Sequence, residues 1–310
     1  MFSKVKVSIV KGDNPVIQTV KALRMVEAEK AFSLDDKVLI KPNYVVVKDP
    51  SSGVTTDGRV VEGVVKFLRE MGVKNIMIGE GSGFSDTFEA FRLAGIDKVA
   101  ERYNVRLIDL NKDRFVEVEI KNALALKKVK IAQTALESII VSVPKLKVHS
   151  MAEVTLSLKN MMGAIYPKNI MHRNLHKKIV DLASILKPRL AVVDGIIGGA
   201  GSELGSTPVK MGLVVAGLDP VAVDAVSSAI MGKNPSKIGY IVWAEKVGLG
   251  VGNLEKIEVV GEKISKVEKN FDSVLSQGYS KFLKALDYVG ITRVYLGFRE
   301  KFLGFNKCRF

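Results

Sequence analysis

This 310-residue chain has very little thiol and imidazole: one cysteine, three histidines, and glutamine only at positions 18, 133 and 277. The single thiol, Cys308, cannot hold an iron–sulfur cluster, build a cysteine zinc site or close an intrachain disulfide, so no iron–sulfur cluster is expected. No run of 18 apolar residues occurs. The most apolar long stretch, Met211–Gly232, carries Asp219, Pro220 and Asp224, which argues against a transmembrane span. Residues 1–10 lack the apolar core of a secretory signal, so a cytoplasmic location is expected. There is no G-x-S-x-G elbow, and a cysteine three residues from the terminus is a poor nucleophile candidate. Scarce glutamine beside abundant lysine and glutamate points to a thermophilic source.

What is present is a large apolar core and a strong positive charge. Hydrophobic residues make up 47% of the chain and mean hydropathy is +0.17, enough for a globular body. The net charge of +14 favours anionic partners: small carboxylates or phosphates, nucleic acid, or an acidic membrane surface. Part of that charge lies in residues 278–310, where seven basic residues meet only Asp287 and Glu300, among eight of the 21 aromatics. This basic aromatic stretch would serve as an oligomerisation arm or, as a competing reading, stack and neutralise nucleic acid.

Short β-branched runs alternate with helical spacing through the first half. Strands are expected at Val5–Val10, Lys37–Ile40, Lys74–Ile78 and Val105–Leu110, with helices at Asn14–Ala31, Gly58–Met71, Asp86–Leu93 and on to Arg102. Phe115–Ile120 and Lys127–Ile131 read as a short antiparallel pair. Ser138–Val143, Leu190–Asp194, Leu213–Ala216 and Lys256–Val260 read as further strands, with helical spacing at Val154–Met162, Asn174–Leu186 and Val221–Met231. The alternation predicts an α/β fold, a mostly parallel sheet with helices on both faces. Residues 1–262 would form that body, with two lobes meeting near 140 as a variant, and residues 263–310 a C-terminal extension.

All three histidines, His149, His172 and His176, fall within 28 residues, and across 145–178 the only acidic residue is Glu153. Lys145, Lys147 and His149 share one face of an extended segment, next to Lys159 and Asn160. Lys41 and Asn43 follow a strand, where ligands of open α/β sheets bind. The Gly79–Gly83 loop, with Gly81 and Ser82, reads either as an anion cradle or as a tight turn, and Glu80 would repel a phosphate. His172 and His176, four apart, suit a shared divalent or transition metal if one helix carries both, although the neighbouring cations oppose it. Asp194 and Asp219 end apolar strands. Asp219 before Pro220 reads as a helix cap, and Asp194, ahead of a glycine-rich loop, as the partner that orients a lysine or histidine.

The segments Lys41-Pro42-Asn43, Gly79–Gly83, Pro144–Ser150, Ser157-Leu158-Lys159-Asn160, Val193-Asp194-Gly195 and Ala216–Asp224 together resemble domain-of-unknown-function family 362. The resemblance runs in order over roughly residues 5–260. Some members carry ferredoxin-type cysteine clusters, which this chain lacks. The lysine and histidine order after Pro144 is also loosely similar to nickel-pincer lactate racemases, which would imply a metal-dependent racemase or isomerase. The leading expectation is an enzyme acting on a small anionic ligand. Lys41, Asn43, Lys145, Lys147 and Asn160 would bind it, with Lys159 beside them, and His149 or His176 would act as acid or base, oriented by Asp194.

Overall fold

The computed structural model describes residues 4–204 and 207–272 and, beyond them, position 282 alone. The remainder of the basic aromatic stretch 278–310 lies outside the described residues. The first half runs β1 (Val5–Lys11), α1 (Pro15–Met25), β2 (Lys37–Pro42), α2 (Gly58–Glu70), β3 (Asn75–Glu80), α3 (Thr87–Leu93), α4 (Ile96–Tyr103) and β4 (Arg106–Asp109). Next come β5 (Phe115–Glu119), β6 (Lys128–Ala132), α5 (Gln133–Leu136), β7 (Ile139–Val143), β8 (Lys145–His149), β9 (Glu153–Thr155), α6 (Ser157–Asn160) and β10 (Ile165–Tyr166). The chain continues with α7 (Leu175–Ile185), β11 (Leu190–Ala200), β12 (Thr207–Gly217), α8 (Pro220–Ile230), α9 (Gly239–Lys246), β13 (Ile257–Gly261) and α10 (Ile264–Val267).

Among the described residues, ten strands form one sheet in the order β13-β1-β12-β11-β7-β2-β3-β4, with β8 paired to β11 and β9. It is mostly parallel: β1 and β11 each pair antiparallel with β12, and β8 with β9. The strands β10, β6 and β5 form a separate antiparallel sheet. Side chains in a strand alternate between faces, and here both faces are apolar. Val38 and Ile40, Leu190 and Val192, Val214 and Ala216 belong to one buried cluster. Their neighbours Leu39, Ala191, Val193, Leu213 and Val215 belong to the other.

Helices α1 to α4 cover the first face and α7 to α9 the second. Helix α2 buries Val60, Val61, Val64, Val65, Phe67 and Leu68, each worth roughly 1.5–3 kcal/mol when fully removed from water. The caps follow the sequence: Asp57 accepts from Arg59 N, Asp86 from Glu89 N, and Asp219 from Val221 N and Ala222 N with Pro220 in the first turn. The α/β architecture with helices on both faces is therefore the one the alternation predicts. Among the described residues, no helix is long and apolar enough to cross a membrane.

Three local expectations differ. The first helix stops at Met25, because Glu27 turns left-handed (φ 55°) ahead of the 3-10 turn at Ala28–Ala31. The helix expected over Val154–Met162 is first a strand, with Thr155 opposite Lys147, and then the single turn α6. The glycine-rich loop expected after Asp194 is the continuation of β11, with an irregularity between Gly195 and Ile197. Its glycines serve packing: a Cβ at Gly195 would lie 2.5 Å from Leu213 and one at Gly198 2.7 Å from Phe271.

Candidate functional site

The sheet order turns around β2. From β2 the chain moves outward through β3 and β4, then returns to the other side of β2 as β7. Crevices at the carboxyl ends of strands open at such switch points. A cavity of about 190 Å³ lies there, lined by residues following β2 and β3, by β8, β9 and α6, and by the turn after β11.

Its floor is a neutralised pair. Lys41, at the end of β2, donates to Glu80 Oε1 at 2.6 Å, and both side chains are almost fully buried. Glu80 also accepts from Gly81 N at 2.8 Å and Tyr44 N at 3.0 Å. The backbone donors that made the Gly79–Gly83 loop a candidate anion cradle are thus taken within the chain, Gly81 N by Glu80, Ser82 N by Thr87 Oγ1 and Gly83 N by Val45 O. Burial lowers the Lys41 pKa against the opposing charge of Glu80. Asn160 ties this floor to α6: its Nδ2 donates to Lys41 O and Ser142 Oγ, and its Oδ1 accepts from Lys41 and from Asn43 Nδ2. Asn43 Oδ1 and Thr155 Oγ1 are buried without a hydrogen-bond partner among the described residues.

The walls carry the remaining charge. Lys147 donates to two carbonyls, Val54 O at 2.8 Å and Glu203 O at 3.3 Å. Burial, reinforced by the nearby Lys159 charge, lowers its pKa to about 7. His149 Nδ1 accepts from Met151 N and Ala152 N at 3.1 and 3.2 Å, which assigns its ring proton to Nε2. Burial and then Lys159 hold its pKa well below 6.5, so the imidazole is neutral at pH 7. Glu203 accepts from Ser150 N and Oγ. Burial works to raise its pKa, but the neighbouring His149 and the backbone and Ser150 donors outweigh that and hold it at about 2. Lys168, its pKa lowered chiefly by burial, donates to Asn111 Oδ1.

Lys159 differs from the other cations. It projects from α6 to the cavity wall and makes no hydrogen bond or ion pair among the described residues, and burial lowers its pKa to about 8 against the pull of Glu203. A one-turn helix cannot hold itself in place, and Asp224 anchors it from α8. The Asp224 carboxylate accepts from Ser157 N at 2.7 Å, Leu158 N at 3.2 Å and Tyr240 Oη at 3.0 Å. Burial outweighs these donors and lifts its pKa to about 7.

The cavity therefore gathers Lys41, Asn43, Gly81, Lys147, His149, His172, Lys159 and Asn160. It does not gather the rest. Lys145 is fully buried against Asp194 at 2.8 Å, and Asp194 also accepts from Asp57 N and Ile196 N. This carboxylate braces β8, β11 and the start of α2, and orients no histidine. The Ser82 hydroxyl donates to Tyr44 O. His176 accepts from Tyr240 N at 3.0 Å and lies parallel to the Tyr240 ring, at the contact between α7 and α9. Helix α7 begins only at Leu175, after Asn174 at φ 57°, so His172 and His176 do not share a helix face. Among the described residues, no three of His, Cys, Asp and Glu gather as metal ligands.

Glu80 was the residue that spacing misjudged. Its signal was present: a carboxylate ending a buried strand demands a cation, and Lys41 ends the neighbouring parallel strand, with Ile40 in register with Ile78.

The family model described as Domain of unknown function (DUF362) matches residues 38–229, a span that includes every cavity residue named above. The thylakoid-associated protein sll1697 of Synechocystis sp. (strain ATCC 27184 / PCC 6803 / Kazusa) is similar at 24% identity over 225 residues, 69% of this chain and 68% of that protein.

Proposed function

This chain belongs to the DUF362 family, and we propose that it is an enzyme acting on a small organic anion bound in the cavity between β2, β3, β8 and α6. One observation carries the reading: after Lys41 is neutralised by Glu80, the walls hold Lys147, Lys159 and Lys168 against the carboxylate of Glu203, and among the described residues Lys159 meets no acceptor. Gathering more cations than counter-charges in a cavity is expensive, and a bound carboxylate or phosphate would relieve that cost. A volume of about 190 Å³ is below the ~300 Å³ at which drug-sized sites begin, which favours a small ligand.

Neutral His149 offers a polarising donor: with Nδ1 held by two backbone donors, Nε2–H can hydrogen-bond an oxygen of the substrate. The test is calorimetric titration with acetate, propionate, malonate and inorganic phosphate, against wild type and Lys159→Met. Micromolar-to-millimolar binding by at least one anion, lost on substitution with the thermal midpoint retained, is expected. Equal binding by the variant would sink the assignment.

A further inference from the structure

The cations of this cavity are not equivalent, and their donors can be counted. An ammonium has three protons to give. Lys41 is spent on Glu80, Asn160 and Pro42 O. Lys147 commits two donors and Lys168 one, which leaves both able to hold a substrate carboxylate while staying anchored. Among the described residues Lys159 commits none. Lys147 and Lys168 can thus take the carboxylate of a larger ligand while Lys159 meets the carbonyl beside it, and an amine with no partner among the described residues, next to a second cation in a partly closed cavity, is the arrangement that makes lysine a nucleophile.

We propose that Lys159 forms an imine with a small anionic aldehyde or 2-oxo acid held by Lys147 and Lys168. This rests on the anion-site reading above and names its substrate class. The neutral Nζ adds to the carbonyl carbon, and the carbonyl oxygen takes up a proton to give a carbinolamine. The carbon–oxygen bond then breaks, water leaves, and the Nζ–carbon double bond remains. The two protons that Nζ sheds, one on addition and one as the double bond forms, leave with the oxygen as water, and His149 Nε2–H donates a hydrogen bond to that oxygen. The burial that lowers Lys159 to about 8 leaves roughly a tenth of it neutral at pH 7, against roughly 0.03% for an ordinary lysine.

The experiment uses the full chain with pyruvate or glyoxylate and sodium cyanoborohydride, followed by peptide mass mapping, with propionate binding measured in parallel. Lys159 is expected to be alkylated at pH 7 on the order of 100-fold faster than an ordinary surface lysine, given the neutral fractions above. Its rate should level off above pH ~8, while that of an ordinary surface lysine keeps rising toward pH ~10. Lys159→Arg keeps the charge and should retain propionate binding while losing the adduct. Adducts spread evenly over surface lysines, with propionate still bound, would overturn the carbonyl chemistry and leave the anion site standing. Failure of propionate, phosphate and pyruvate alike to bind or react would overturn both.

Discussion

If the anion is held by ammonium groups at Lys147 and Lys159, its affinity must depend on pH in a way the two lowered pKa values set. The free site has Lys147 at about 7 and Lys159 at about 8. A bound anion raises both, so the ligand prefers the doubly protonated site and binding takes up protons. The sign is fixed: affinity is highest below pH 7 and falls as pH rises through the two free-state values. With both protons required, the apparent affinity scales as the inverse of (1 + 10^(pH−7))(1 + 10^(pH−8)), a loss of roughly 1000-fold between pH 6 and pH 9. At pH 8 binding should take up about 1.4 protons, nearly one by Lys147 and half of one by Lys159. Titration calorimetry with propionate in two buffers of different ionisation enthalpy measures that uptake directly. An affinity flat from pH 6 to 9, with no buffer dependence, would refute the placement of the charge-bearing groups.

Three further outcomes follow from the same contacts. Glu203→Gln removes the carboxylate that raises Lys147, His149 and Lys159, so the pH at which propionate affinity declines should move downward; an unchanged profile would place Glu203 outside the site. Asp194→Asn leaves Lys145 buried and unpaired and should cost about 3–5 kcal/mol in urea unfolding, with anion affinity of the folded protein unchanged. Weakened binding at full stability would instead return Asp194 to the chemistry. The raised pKa of Asp224, about 7, means the folded state holds its proton more tightly than the unfolded chain. That contribution is complete below about pH 4 and lost as pH rises through 7, and in Asp224→Asn this part of the stability–pH curve should disappear.

The α/β body was legible because strand runs such as Val38–Ile40 and Val214–Ala216 are apolar on consecutive residues. Only burial on both faces makes that pattern favourable, and such burial needs helices on each side. The cap at Asp219 was legible for a local reason: one side chain satisfies the amides of the next turn. What failed was non-local. Val154–Met162 has helical spacing, yet Val154 and Thr155 answer to β8 across the ladder, and pairing overrides propensity where a neighbouring strand offers its edge. The glycines after Asp194 read as a loop because glycine usually marks one. Here they are small because Leu213 and Phe271 occupy the space a side chain would need.

The site divides along the same line. Lysines and asparagines at strand ends were found from position alone, since a parallel sheet delivers its strand ends to one crevice. Which cations would be neutralised was not legible, because the answer lies in pairs formed between distant strands. Lys145 meets Asp194 across 49 positions and Lys41 meets Glu80 across 39. Each pair removes a lysine that composition alone would assign to an anion. The pairing of Lys41 with Glu80 has a second effect. A Cβ at Gly163 would lie 2.2 Å from Glu80 Oε1 and 2.6 Å from Lys41 Nζ, so the backbone after α6 can approach only because residue 163 is glycine, and that approach seats the short helix carrying Lys159. The neutralised pair is thus the footing on which Lys159 is placed. A net charge of +14 says little about the cavity, where the relevant quantity is an ammonium that meets no acceptor among the described residues.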